Sequence, residues 1–281
     1  MITVTAPDGF DLRKTADSGQ AFRFTRTGPG SYRLLAGSRL LRLTQEEPCG
    51  PAVLDCSPAE YHAFWKTYFD LDTDYRSVSE QIPPEDRYLS QAARFGRGIR
   101  ILRQDPWEML VTFILSQRKN IPAIKKSVEK LCEAAGCPVT DSSGRKFSAF
   151  PRPAELARLS LDDLKACGLG YRARYIRQTA EDAASGKAPL DQWQSEPDDR
   201  LMEHLLSLSG VGNKVASCIM LFGFHRLNAF PRDVWILKVL KEHYQDSFDP
   251  AAYSPYAGIM QQYLFLLHPC RRKRGDTALT G

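Results

Sequence analysis

The sequence predicts an α+β fold that is predominantly α, with an N-terminal antiparallel β-sheet domain followed by helical domains. Three patterns carry this expectation. From Gly19 to Leu43, apolar residues alternate in short runs broken by Gly28-Pro29-Gly30 and Ala36-Gly37-Ser38, as in a meander of strands. Beyond Pro83-Pro84, apolar residues recur at intervals of three and four almost to the end, the period of amphipathic helices. Between Leu201 and Phe222, two such stripes are separated by Ser209-Gly210-Val211-Gly212. The expected boundaries are 1–84 for the β-rich domain with its flanking helices and 85–270 for the helical region, with a helix-hairpin-helix at 199–224. Residues 271–281 form a basic tail expected to be disordered.

Within the meander, Phe22 and Phe24, Tyr32 and Leu34, and Leu41 and Leu43 put alternate side chains on one face. Ser57-Pro58-Ala59-Glu60 then combines a capping box with proline at the first helical position, and Tyr61, Trp65, Tyr68 and Phe69 follow as an aromatic stripe, read as core. Asp105-Pro106-Trp107-Glu108 opens another helix, which buries Trp107, Leu110, Phe113 and Ile114 and ends near Gln117. Arg118-Lys119-Asn120 is a polar loop before Ile121-Pro122 starts the next helix. Ser160-Leu161-Asp162-Asp163 caps a short helix that Gly168-Leu169-Gly170 ends. Tyr171-Arg172-Ala173-Arg174-Tyr175 comes directly after, and arginine interleaved with tyrosine suits either a nucleic-acid face or a solvated helix.

Composition narrows the function. A chain of 281 residues, 43% hydrophobic and 25% charged, can bury two cores. Its net charge of +5 is compatible with a polyanionic partner but is common among enzymes. Seven cysteines without paired spacing argue against a disulfide scaffold and for a reducing compartment. The start of the chain does not resemble a secretory leader and no run approaches membrane-spanning length, so a cytoplasmic protein without membrane contact is expected. HExxH, Walker A and CxxC patterns do not occur, which leaves metal hydrolysis, nucleotide hydrolysis and thiol redox chemistry unsupported.

The chemistry is expected between Leu205 and Trp235. Gly210 and Gly212 break one helical stripe, and Asn213 is placed to cap the next. Such a hairpin either presents backbone N–H groups to a DNA phosphate or is simply a tight αα-corner. Lys214 follows in the first turn of the second helix, where the helix dipole is unfavourable to an ammonium ion, so a purely structural role is disfavoured. Its amine is a candidate nucleophile, and Cys218 lies one turn further along the same face. Asp233, after Phe230-Pro231-Arg232, is either an N-cap or a carboxylate placed to stabilise a developing cation.

GVGNKVASC followed by FPRDVW resembles the helix-hairpin-helix-Gly-Pro-Asp superfamily of DNA glycosylases, and within it the 8-oxoguanine DNA glycosylases. Further matches are SGQAFRF from Ser18, LRQDPWEMLVTFILSQ from Leu102, CGLGYRARYI from Cys167 and PYAGIMQQYLF from Pro255, so the resemblance spans most of the chain. It implies a TBP-like N-terminal domain and helical glycosylase domains. It also implies a bifunctional glycosylase and AP lyase acting on double-stranded DNA that contains 8-oxoguanine, working as a monomer. Lys214 would be the nucleophile and Asp233 the electrostatic partner. Phe265 and Cys218 would sandwich the flipped base, Gln261 would address its Watson–Crick edge, and the Gly19 carbonyl would accept from the N7–H that distinguishes 8-oxoguanine from guanine. No metal or cofactor is implied for the chemistry, although hairpins of this type can hold a monovalent cation. The four-cysteine cluster of the endonuclease III branch is missing, so no iron–sulfur centre is expected.

The chain departs from the eukaryotic pattern at the residues that read the base opposite the lesion. Arg118 and Ala123 replace an asparagine and an arginine there, and only Arg172 is kept. Tyr171 and Arg118 are therefore expected to wedge the duplex, with relaxed selectivity for opposite cytosine. Trp235 replaces a phosphate-contacting histidine, and both departures resemble the bacterial branch. Two alternatives stand beside this reading: a monofunctional alkylpurine glycosylase, which would lack the lysine nucleophile, and a non-catalytic DNA-binding module.

Overall fold

The computed structural model describes residues 1–141 and 143–268, so the predicted basic tail lies outside the described residues. Five strands, β1 (Ile2–Val4), β2 (Phe24–Gly28), β3 (Ser31–Ala36), β4 (Arg39–Gln45) and β5 (Ala52–Leu54), form one antiparallel sheet in the order β1-β5-β4-β3-β2. The predicted meander is β2 to β4. Its register sets Leu34 opposite Leu41 and Tyr32 opposite Leu43, which gathers Phe24, Tyr32, Leu34, Leu41, Leu43 and Leu54 into one buried set. β1 and β5 lie outside the predicted runs, because three residues are too few for alternation to be seen.

The aromatic stripe covers this sheet, with Trp65, Tyr68 and Phe69 completing its core. Its helix opens on the expected capping box: the Ser57 hydroxyl accepts from the Glu60 N–H at 3.2 Å and the Glu60 carboxylate accepts from the Ser57 N–H at 2.9 Å. The next stretch, Tyr61–Trp65, is π-wound and not α-helical. The wider turn accompanies a cluster of edge-on and stacked rings, Phe64, Trp65, Tyr68 and Phe69, spaced 4.9 to 6.0 Å apart.

A second core lies within the helical region and also takes in Phe22, Tyr75, Val78 and Ile82. The helix Pro106–Ser116 runs through it with every residue from Trp107 to Leu115 buried, more than the single face expected, and Glu108 and Thr112 are buried with the apolar residues. Helix Asn213–Phe222 packs on it through Phe222, stacked on Phe113 at 5.6 Å. Helix Ala257–Leu267 lies so close to Arg87–Gly96 that a Cβ on Gly96 would stand 2.5 Å from the Tyr263 ring. One departure from the all-helical expectation is a small antiparallel hairpin, β6 (Pro138–Thr140) with β7 (Lys146–Ser148). No helix among the described residues is long and apolar enough to cross a membrane.

Candidate active site and nucleic-acid interface

The helix Asn213–Phe222 begins one residue away from its predicted cap. Gly212, at φ −105° and ψ 177°, is the N-cap and Asn213 is the first helical residue. The Gly212 carbonyl accepts from the Ala216 N–H at 2.9 Å, so the cap is backbone only. The two hairpin glycines do different things. Gly210 is left-handed at φ +80°, and a Cβ there would fall 2.6 Å from the Tyr175 ring; a Cβ on Gly212 would meet nothing within 4 Å. The first glycine makes the turn, and the second leaves the amides at the helix N-terminus uncovered.

Lys214 stands exposed in the first turn of that helix, with Nζ 5.6 Å from the centre of the Phe113 ring. Cys218, one turn on, is buried and hydrogen-bonded to Lys214. Burial pushes its thiol up to about 11 against the pull of the Lys214 ammonium, so it stays protonated near neutral pH. Asp233 is the N-cap of helix Val234–Tyr244: its Oδ1 accepts from the N–H groups of Trp235 at 3.0 Å and Ile236 at 2.8 Å. The two readings of Asp233 are thus compatible, since the capping carboxylate also lines the cleft that holds Lys214.

That cleft, of about 700 Å³, brings together Gly19, Lys214, Asp233, Trp235 and Phe265. Gly19 is not at the start of a strand. It follows helix Leu12–Asp17 and its Ser18 cap in a left-handed conformation, φ +78°, and a Cβ there would lie 3.4 Å from Phe265 Cε1. Backbone and ring lie side by side; a Cβ there would make ordinary van der Waals contact, so it is the left-handed backbone and not a lack of room that favours glycine. Trp235 tilts against His268 at 5.2 Å. Cys218 and Gln261 are not among the described residues that line the cleft. Gln261 is buried, donates to the Pro231 carbonyl at 3.2 Å and accepts from Gln262 at 2.9 Å, so it ties helix Ala257–Leu267 to the segment before Asp233.

A shallower groove beside the hairpin collects Arg118, Tyr171, Gly210 and Gly212, together with Gln117 and Tyr175. Arg118 is exposed at φ +54° in the loop that ends Pro106–Ser116. Tyr171 is more than half exposed at 53%. Arg172 turns toward the protein's own backbone. It is 7% exposed, donates to the carbonyls of Leu169, at 3.2 Å, and of Gln117, and lies 4.4 Å over the Tyr171 ring. Gln117 in turn donates to the Gly210 carbonyl at 2.9 Å, so Arg172 and Gln117 link three loops that flank the groove.

Sequence reasoning missed Gln117, Lys119 and Lys125. Lys119 lines the cleft and donates to Ser127 at 2.8 Å and to the Gly168 carbonyl at 2.6 Å; burial, then the Arg172 charge, lowers its pKa. Lys125, also in the cleft, donates to the Phe24 carbonyl at 3.0 Å. A polar loop and a helix-face lysine carry no local sign of such long-range partners.

Residues 1–110 match the family model described as 8-oxoguanine DNA glycosylase, N-terminal domain, and residues 111–253 match that of the HhH-GPD superfamily of base excision DNA repair proteins. The chain belongs to the 8-oxoguanine DNA glycosylase family. Within it, an N-glycosylase/DNA lyase of Saccharomyces cerevisiae is 35% identical over 64% of this chain and 50% of its own length. The "Probable N-glycosylase/DNA lyase" of Methanothermobacter thermautotrophicus is 30% identical, with 91% of this chain and 92% of that protein aligned. Among solved structures, the Clostridium acetobutylicum 8-oxoguanine glycosylase/lyase in complex with dsDNA containing cytosine opposite 8-oxoG superposes with a TM-score of 0.86. It is 31% identical and covers 95% of this chain and 97% of that one.

Proposed function

We propose that this chain is a bifunctional DNA glycosylase and AP lyase that flips 8-oxoguanine out of duplex DNA and excises it through a lysine Schiff base. The observation that carries this reading is one cleft holding Lys214, Asp233, Gly19 and Phe265 immediately beside an open hairpin N-terminus. DNA is the partner. The uncovered amides after Gly212 suit a backbone phosphate, while Arg118, Tyr171, Gly210 and Trp235 flank the duplex, with Tyr171 and Arg118 entering it where the base leaves.

The unprotonated Lys214 amine attacks C1′. The C1′–N9 bond breaks, its electron pair departs with the purine, and the base gains a proton. Asp233 offsets the positive charge that builds on the sugar, from a position fixed by its two N–H contacts. Opening of the sugar ring leaves a Schiff base, which acidifies C2′. Removal of that proton sends an electron pair toward the new double bond and expels the 3′ phosphate. Phe265 stacks on the extruded base, the Gly19 carbonyl accepts from N7–H, and Cys218 backs the pocket as a neutral thiol. Gln261 reaches the Watson–Crick edge by leaving Pro231. None of these steps calls for a metal or an organic cofactor; a monovalent cation would be held, if at all, by hairpin carbonyls. The enzyme is proposed to act as a monomer in the cytoplasm, with relaxed preference for the opposite base.

A duplex bearing one 8-oxoguanine, treated with sodium borohydride, tests the reading. The parent is expected to become covalently linked to DNA and Lys214→Gln is not. Excision without trapping by the parent would instead indicate a monofunctional enzyme, and binding with neither would leave a non-catalytic module.

A further inference from the structure

A second cavity, of about 580 Å³, lies between the helices Tyr75–Glu80, Arg87–Gly96 and Ala257–Leu267. Tyr263 lines it and Phe265 lines the catalytic cleft. Two residues apart on a helix is about 200° of rotation, so the two sites occupy opposite sides of one helix. The floor is apolar and aromatic, from the buried Tyr75, Ile82, Ala93 and Tyr263. The rim carries Arg76, Arg94 and Arg97 with the hydroxyls of Ser79 and Ser90.

The charges at this rim are not balanced. Among the described residues, Asp8 is the only acid lining the cavity, and its carboxylate is already taken by the Arg100 guanidinium and by the Tyr75 N–H at 2.8 Å. Arg76 has only an exposed partner, Glu80 at 3.0 Å. Neither the Arg94 nor the Arg97 guanidinium donates to any described residue; the Lys14 ammonium that reaches the Arg97 carbonyl at 2.8 Å is already paired with Asp11 at 3.3 Å. Some arginines elsewhere are held by carboxylates, as in Arg23–Glu129, Arg103–Asp70 and Arg200–Glu203, and Arg94 and Arg97 are not. Like charges gathered over a low-dielectric floor focus a positive potential into the cavity. Guanidinium forks match phosphate oxygens, and the volume suits a nucleotide-sized ligand.

We propose that this cavity is a phosphate-ester site, separate from the catalytic cleft, in which Arg94 and Arg97 hold the phosphate. Two sources present that chemistry: a free mononucleotide, and the backbone of the DNA beyond the lesion. The test is calorimetric titration of the full chain with dGMP, and with a lesion-free duplex at several salt concentrations. The parent, Lys214→Gln and the double variant Arg94→Gln/Arg97→Gln are compared, each checked for an unchanged melting curve.

If the source is a mononucleotide, dGMP binding saturates in the parent and in Lys214→Gln, and weakens about tenfold for each guanidinium removed. If the source is DNA, the double variant instead lowers the salt slope of duplex binding by roughly one unit for each phosphate that is no longer neutralised. Arg94→Lys/Arg97→Lys, which keeps the charge, restores most of the slope but not the dGMP affinity. The proposal is overturned if the double variant binds dGMP and duplex with parental affinity and slope. It is equally overturned if Lys214→Gln abolishes dGMP binding, because the nucleotide then sits in the catalytic cleft.

Discussion

Alanine at the two hairpin glycines should have opposite consequences, and the structure sets the size of each. Gly210 sits at φ +80°, where an L-residue costs about 1 kcal/mol, and its new methyl would fall 2.6 Å from Tyr175 Cγ and 2.9 Å from Tyr175 Cβ. Those atoms are the root of the side chain and cannot swing aside, so overpacking adds about 1 to 2 kcal/mol. The stiffer unfolded chain returns about 0.5 kcal/mol. Gly210→Ala should therefore lose about 2 kcal/mol in urea denaturation. Gly212 has φ −105° and open space where the methyl would go, so Gly212→Ala should change stability by no more than about 0.5 kcal/mol. Its methyl would nevertheless add bulk at the N-cap of the helix whose first amides are proposed to meet a phosphate. Affinity for a lesion duplex should fall about tenfold, measured by fluorescence anisotropy. Parental DNA affinity in Gly212→Ala would refute the role given to the hairpin, and a parental urea midpoint in Gly210→Ala would refute the strain argument.

Asp233→Asn keeps an oxygen for the Trp235 and Ile236 N–H groups, so stability should drop by less than about 1 kcal/mol while excision is strongly slowed; equal losses in both would mean the carboxylate only caps. Glu108, 7% exposed, is pushed up to about 7 by burial, with the Arg23 charge opposing. Its folded-state value is raised, so its contribution to stability is whole below about pH 4.5 and is lost as pH rises through 7. Glu108→Gln should gain about 3 kcal/mol relative to the parent at about pH 8 and nothing at about pH 4, by denaturation at both pH values. Arg172→Ala strands the carbonyls of Leu169 and Gln117 and should cost about 2 to 3 kcal/mol; a change below about 0.5 kcal/mol would mean that the arginine does not brace the loops. In the parent, excision opposite cytosine and opposite adenine should differ by less than about a hundredfold, measured in single-turnover assays.

What can be read from sequence follows the range of the interaction. Caps at Ser57, Asp105, Ser160 and Asp233 are visible because a side chain and an N–H two or three residues away decide them. The cap at Gly212 is not, since it has no side chain to betray it and Asn213 beside it has the usual chemistry. Glu108 sits where a capping box would put its glutamate, yet its side chain is buried close enough to Gly37 to accept from that backbone, a contact that only the packed sheet supplies. Arg172 shows the same limit. Alternating Tyr and Arg suggests an outward face, but the carbonyls of Gln117 and Leu169 draw the guanidinium inward. For residues carried over through the resemblance, what shows in sequence is the local part of their setting: Lys214 and Asp233 reach one cleft from helix N-termini, whereas the hydrogen bond from Gln261 to the Pro231 carbonyl spans thirty residues and leaves no local sign.

Under the proposed mechanism, the surroundings of Lys214 favour its amine, and not the thiol next to it, as the attacking group. Cys218 is buried with its thiol pushed up to about 11, so little thiolate exists near neutral pH and none of it is accessible from the cleft. Lys214 is exposed to the cleft, and two of its neighbours, the Phe113 ring and the Cys218 thiol, are uncharged. No described carboxylate lies within ion-pair distance of it. Asp233 shares the cleft, but its Oδ1 is committed to two backbone N–H groups and the carboxylate is held by its own helix. A direct ion pair would have fixed the ammonium form and blocked its lone pair, at a penalty borne in every turnover. Keeping the carboxylate tethered in the same cleft without pairing leaves one group available to attack and the other to meet the positive charge as it forms on the sugar.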